Sequence, residues 1–110
     1  MPNDKTDKNI LIIGAGKAGR LLEKDITQFH PHCHVIGFVD DRVDPKNRLL
    51  LGQIGDTSKL VKLFRIDEVV IAIPSTDGQL VRRILLENIK NHIPIKIVPR
   101  NQKIIRLSQV

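Results

Sequence analysis

The chain has 110 residues, 41% hydrophobic and 27% charged, the balance of one globular domain with a single core and no room for a second. Its apolar runs are far shorter than the roughly 20 residues a bilayer-spanning helix needs, so no membrane contact is expected from these residues. A net charge of +6 comes with only 3% aromatic residues and neither Tyr nor Trp, which leaves no base-stacking platform; the scattered Lys and Arg read as a solvated basic face, and no nucleic-acid partner is expected.

In chain order, residues 1–8 are polar with no apolar segment behind them, so no leader is expected, and they read as a disordered tail before one domain over 9–110. Residues 10–13 form an apolar, branched run of the length of a buried strand. Gly14-Ala15-Gly16-Lys17-Ala18-Gly19, a G-x-G-x-x-G, interrupts it. A helix follows from about Lys17 to Gln28, because Ala18, Leu21, Leu22, Ile26 and Phe29 recur at helical spacing, and His30-Pro31 stops it.

Residues 34–40 are a second strand ending in Asp40, and residues 41–48 are a polar turn with Pro45 and Asn47. Residues 49–55 read as a short third strand with a bend or bulge at Gly52. Asp56, Thr57 or Ser58 caps a helix whose apolar face is Leu60, Val61, Leu63 and Phe64. Residues 67–73 are a fourth strand. Pro74-Ser75-Thr76 opens a helix with Leu80, Val81, Ile84, Leu85 and Ile89 on one side, and Thr76 with Gln79 matches a capping box. Residues 94–98 are a fifth strand, and a basic tail follows from Pro99.

Strands alternating with helices predict an α/β fold: a Rossmann-like, doubly wound parallel sheet of five strands in the order 3-2-1-4-5, with helices on both faces. Ligands of such sheets bind beyond the C-terminal strand ends, where the order reverses. That crevice gathers residues 14–19, Asp40, Asp56 and residues 73–75.

Each glycine of the turn has a physical role in holding a diphosphate. Gly14 permits the tight turn out of the strand, Gly16 lacks a Cβ that would block the pyrophosphate, and Gly19 lets the helix lie close to the sheet. The unpaired N–H groups of the helix and the positive end of its dipole then face the phosphates, and Ala15, Lys17 and Ala18 are expected among the cofactor-binding residues. Lys17 either reaches the pyrophosphate or stands in solvent. Asp40, about 20 residues beyond the turn, is placed to accept the adenosine ribose hydroxyls and to repel a 2′-phosphate, which argues for NAD over NADP. Arg42 works against that preference, since a guanidinium accepts a 2′-phosphate or stacks on adenine. Asp41 and Arg42 are expected at the rim. Asp56 and Thr57 either contact adenine or cap their helix, and capping explains them fully; Ser75 and Thr76 carry the same ambiguity on the nicotinamide side.

The cluster His30-Pro31-His32-Cys33-His34 offers two ligands on one face of an extended chain, but no second Cys/His cluster completes a tetrahedral site, and a connecting loop is the simpler reading. The single cysteine, Cys33, excludes an internal disulfide and fits a reducing, cytoplasmic compartment. Catalytic equipment is thin. A chain without tyrosine has no Tyr-x-x-x-Lys pair; G-x-S-x-G and H-E-x-x-H are absent, and His92 falls on the wrong edge of the sheet. No catalytic residue and no metal ligand is therefore expected.

The segments LIIGAGKAGRLL, VIGFVDD, GDTSKLVKLFRIDEVVIAIPS and IKIVP resemble the nucleotide-binding Rossmann domain of bacterial polysaccharide-biosynthesis proteins, the nucleotide-sugar epimerase/dehydratases similar to capsular-polysaccharide 4,6-dehydratases. The same CoA-binding-like domain also precedes the sugar-phosphate transferase domain of some membrane glycosyltransferases. The resemblance implies a fragment of a longer, membrane-anchored protein with a separate catalytic domain. It also implies NAD held by Gly14, Gly16, Gly19 and Asp40, with Ile73 and Pro74 lining the nicotinamide side and a nucleotide-sugar as a further ligand. Against that family the segment between the second and third strands is compressed. The chain is also similar to the NADH-sensing half of redox-responsive repressors and to domains that gate potassium uptake, which implies a regulatory alternative in which a homodimer rearranges on binding. A self-sufficient small oxidoreductase is a third reading, opposed by the missing acid/base groups.

Overall fold

The computed structural model describes residues 7–42, 44–73 and 78–98. Its strands β1 (Lys8–Ile13), β2 (Cys33–Val39), β3 (Leu50–Gly52), β4 (Glu68–Ile71) and β5 (Ile95–Ile97) form one sheet in the order β3-β2-β1-β4-β5. Every pairing is parallel. The expected topology is therefore the observed one. Helix α1 (Lys17–Phe29) joins β1 to β2, α2 (Thr57–Leu63) joins β3 to β4, and α3 (Gly78–Asn88) joins β4 to β5. Single turns of 3₁₀ helix, Ile54–Asp56 and Ile89–Asn91, precede α2 and follow α3.

The period of two along each strand divides the core into two layers. On one face Leu22 and Ile26 of α1 pack on Ile10, Ile12, Phe38, Val70 and Ala72. On the other, Leu60 and Val61 of α2 and Ile84 of α3 pack on Leu11, Ile13, Val39, Val69 and Ile71. The central strands are covered on both sides, which is why β1 reads as an uninterrupted apolar run. Each fully buried Leu or Ile here contributes roughly 1.5–3 kcal/mol of transfer free energy.

The helices bury narrower stripes than their apolar spacing suggests. Leu21 and Phe29 of α1 face solvent, as do Leu85 of α3 and Ile89 just beyond it. Of the apolar face expected on α2 only Leu60 and Val61 are inside, while Leu63 is 67% exposed. The cause is the helix end. Phe64 is its C-cap, Arg65 turns the chain at φ 53°, and Ile66 enters the core where Leu63 and Phe64 do not. Strand ends also move: β2 begins at Cys33, inside the stretch expected to be loop, and β3 stops at Gly52, so that Ile54 and Gly55 leave the expected third strand for the 3₁₀ turn. The opening of the last helix at Pro74, Ser75 and Thr76, and the basic tail from Pro99, lie outside the described residues.

At the N-terminal end of the sheet a charged cluster sits inside the α1 layer. Glu68 is 1% exposed, with Oε1 3.4 Å from Lys96 Nζ and 3.8 Å from Lys8 Nζ. Three strands are thus linked through one carboxylate. Among the described residues Glu68 Oε2 is buried with no hydrogen-bond partner. Beside it, burial and the Glu68 carboxylate push the Cys33 thiol above its ordinary value of 9.0, with Lys8 and Lys96 pulling the other way.

Candidate functional site

The crevice forms where β1 and β2 end side by side. Gly14 leaves β1 at φ +112°, a conformation side chains disfavour, and a Cβ there would stand 2.5 Å from the Ala72 carbonyl oxygen. Its amide donates to the Val39 carbonyl at 2.8 Å, fixing the turn against the end of β2. A Cβ on Gly19 would collide with the Gly14 carbonyl, so that residue lets α1 lie on the turn itself. Both glycines are demanded by the fold.

Gly16 is different. Among the described residues a Cβ there meets nothing within 4 Å, so none of them requires the side chain to be missing. Gly16 is also the N-cap of α1, no side chain caps its first turn, and no acidic residue lies in that turn. The first helical bond runs from the Arg20 amide to the Gly16 carbonyl at 3.0 Å. The amides of Lys17, Ala18 and Gly19 therefore precede any helical acceptor, and the dipole adds positive potential where they point. Lys17 is exposed at the same end and Ala18 is half-buried.

Across the turn lies Asp40, the residue after β2. Its Oδ2 accepts the Ala15 amide at 2.8 Å and its Oδ1 accepts the Arg42 amide at 2.9 Å. Its own amide donates to the Gly52 carbonyl at 3.1 Å, so the main chain is anchored to β3 while two amides hold the carboxylate. A carboxylate offers about four acceptor positions, and two remain for hydroxyl donors. Arg42 itself is exposed.

The other acids are engaged by the β3 loop. Asp41 Oδ1 accepts the Ile54 amide at 3.0 Å, and Asp56 Oδ2 accepts the Gln53 amide at 2.9 Å. Thr57 is buried and donates to the Ile54 carbonyl at 2.6 Å. Asp56 is the N-cap of α2 but makes no side-chain capping bond to it; its carboxylate and the Thr57 hydroxyl tie the 3₁₀ turn before the helix instead. Ile73 is half-buried against the layer under α2 and α3, and Pro74 lies outside the described residues.

His32 Nδ1 lies 3.1 Å from Asp7 Oδ1, and His34 Nε2 lies 3.9 Å from Asp7 Oδ2. Among the described residues no group of three acids, histidines or cysteines could hold a metal ion.

Two features, one at the site and one at the far end of the sheet, have no counterpart in the expected elements. Strand β2 carries an extra residue, Ile36, between the pairs Ile10↔Val35 and Leu11↔Gly37. The buried Glu68 was the other. A glycine inside an apolar strand, as in VIGFV, is the signal that marks such a bulge.

No protein-family model matches the chain, and no curated protein matches it. Among solved structures it is similar to UDP-D-quinovosamine 4-dehydrogenase from Vibrio fischeri, with 26% identity and a TM-score of 0.67 over 86% of this chain and 80% of that one. It is similar to RSP, a Rex-family repressor, at 18% identity and TM-score 0.67 over 92% of this chain and 49% of that one, so it spans about half the repressor's length. RSP in complex with β-NADH aligns at 19% identity and TM-score 0.63, covering 90% of this chain and 50% of that one. The two repressor likenesses show the fold.

Proposed function

We propose that this chain is a dinucleotide-binding module for NAD(H) and serves a protein that modifies nucleotide-sugars. The observation that carries this reading is the contrast among the three glycines: Gly14 and Gly19 are closed in by backbone, whereas the space a Gly16 side chain would occupy is open. That opening fits a pyrophosphate against the amides of Lys17 and Ala18, which have no acceptor within the helix, with the ribose hydroxyls on Asp40. Lys17 adds a charge at the phosphates, Arg42 flanks the adenosine, and Asp41 and Asp56 support the adenine side through the β3 loop. Ile73 takes the nicotinamide side, the role also assigned from the sequence to Pro74, which lies outside the described residues. The nicotinamide ring, when bound, supplies hydride chemistry; these residues bind and orient and supply no acid or base.

The nucleotide-sugar assignment draws on the likeness to the UDP-D-quinovosamine 4-dehydrogenase. The catalytic partner is a separate domain, and a homodimer is compatible with this role. Titrating NAD⁺, NADH, NADP⁺, CoA and a UDP-sugar by calorimetry tests the reading: NAD(H) binds, and binding of no dinucleotide defeats it. A strong preference for NADH over NAD⁺, with a change in oligomeric state on binding, would instead assign the module to redox sensing.

A further inference from the structure

We infer that Gly37, with the extra residue Ile36, is the positioning device that delivers the Asp40 carboxylate to the glycine turn and so selects adenosine carrying a free 2′-hydroxyl over its 2′-phosphate. The inference rests on the dinucleotide reading of the crevice and names what sets its selectivity.

Parity supplies the argument. In β2, Val35 packs in the α1 layer, and simple alternation would return residues 37 and 39 to that layer and send residue 40 to the opposite face. The structure departs from this. Ile36 has no partner on β1, and the pairing resumes as Leu11↔Gly37 and Ile12↔Phe38. Ile36 packs in the layer under α2 and α3, Phe38 returns to the α1 layer, and Val39 goes to the other. Asp40 accordingly falls on the α1 side, where Oδ2 meets the Ala15 amide at 2.8 Å. A bulge next to a site commonly re-aims one side chain in this way.

Gly37 is what makes the bulge possible. A Cβ there would stand 2.6 Å from the Leu49 carbonyl oxygen and 2.6 Å from Leu51 Cδ1. Leu51 belongs to the layer under α2 and α3, so it fills the space a Gly37 side chain would need. The Leu49 carbonyl is also the acceptor of the Phe38 amide at 2.8 Å, and the next bond along the pairing is Asp40 amide to Gly52 carbonyl at 3.1 Å. Any side chain at 37 pushes on the carbonyl whose hydrogen bond sits two residues before Asp40.

The test uses the full chain, wild type and Gly37→Ala. Amide exchange of Ala15 is followed by NMR without ligand, and dissociation constants for NAD⁺ and NADP⁺ are measured by calorimetry. In Gly37→Ala the Ala15 amide exchanges faster while Ile12 stays protected. The NAD⁺-over-NADP⁺ preference falls about tenfold, the change expected from losing one charge-assisted hydrogen bond. A folded Gly37→Ala with wild-type Ala15 exchange and wild-type preference overturns the inference. Should Gly37→Ala not fold, Gly37→Ala/Leu51→Ala removes the obstructing side chain and is judged by the same two readouts. Wild type that binds neither dinucleotide defeats the ribose reading, while Ala15 exchange still decides whether Gly37 positions Asp40.

Discussion

Asp40 Oδ2 accepts the Ala15 amide at 2.8 Å, so the acid that ends β2 and the turn that ends β1 form one hydrogen-bonded unit. The carboxylate does not wait for a ligand to be ordered. Pre-ordering lowers the entropic cost of binding and fixes where negative charge meets an incoming ribose.

Asp40→Ala removes that charge and both of its backbone tethers. NAD⁺ affinity is expected to fall by about tenfold to a hundredfold, the range for one charged hydrogen bond, while NADP⁺ affinity holds or improves because repulsion of the 2′-phosphate disappears. Parallel calorimetric titrations of the two cofactors check this, and an equal loss for both would refute the ribose role.

Gly16→Val and Gly19→Ala separate ligand space from protein space. The first adds a side chain where nothing lies within 4 Å, so the melting temperature should move little while dinucleotide binding is lost. The second drives a methyl into the Gly14 carbonyl and should destabilise the fold itself. Thermal melts beside binding isotherms distinguish the two outcomes.

Lys96→Met leaves the buried Glu68 carboxylate with Lys8 alone, at 3.8 Å, and should destabilise the domain by about 3 kcal/mol. Glu68→Leu removes the buried charge altogether, and both lysines can extend toward water. That variant should be neutral or more stable, as replacement of buried ion clusters by apolar groups often is. Urea melts of both variants check the sign of each change.

Cys33 should alkylate slowly. Its thiol is held above 9.0 chiefly by burial, so the reactive thiolate is scarce near neutral pH. The unfolded chain ionises first as pH rises, so the native state binds the extra proton and loses stability above pH 9.0. Iodoacetamide labelling in native buffer against guanidinium, with melts at successively higher pH, tests both statements. Native labelling as fast as denatured would contradict them.

The strand order, both faces and the glycine turn were legible because they rest on local periodicity and on spacing along the chain. Asp40's nearness to Gly16 followed from topology alone. Leu63, Leu85 and Ile89 differ from expectation because helical spacing marks a face and not its depth: Leu63, the last residue of α2, stands in solvent. The bulge at Ile36 was harder to find, since it depends on how β1 and β3 pair with β2, contacts no single stretch encodes. Glu68 falls inside the strand expected over 67–73, and nothing local marks it as buried; only the arrival of Lys8 and Lys96 from two other strands makes its burial tolerable.

The charged triad at Glu68 and the turn at Gly14 occupy opposite ends of the same strands. Robustness and recognition are consequently adjustable at separate addresses, because changes at distant, non-touching positions combine additively. A designer could toughen the base of this sheet without retuning what its upper rim accepts.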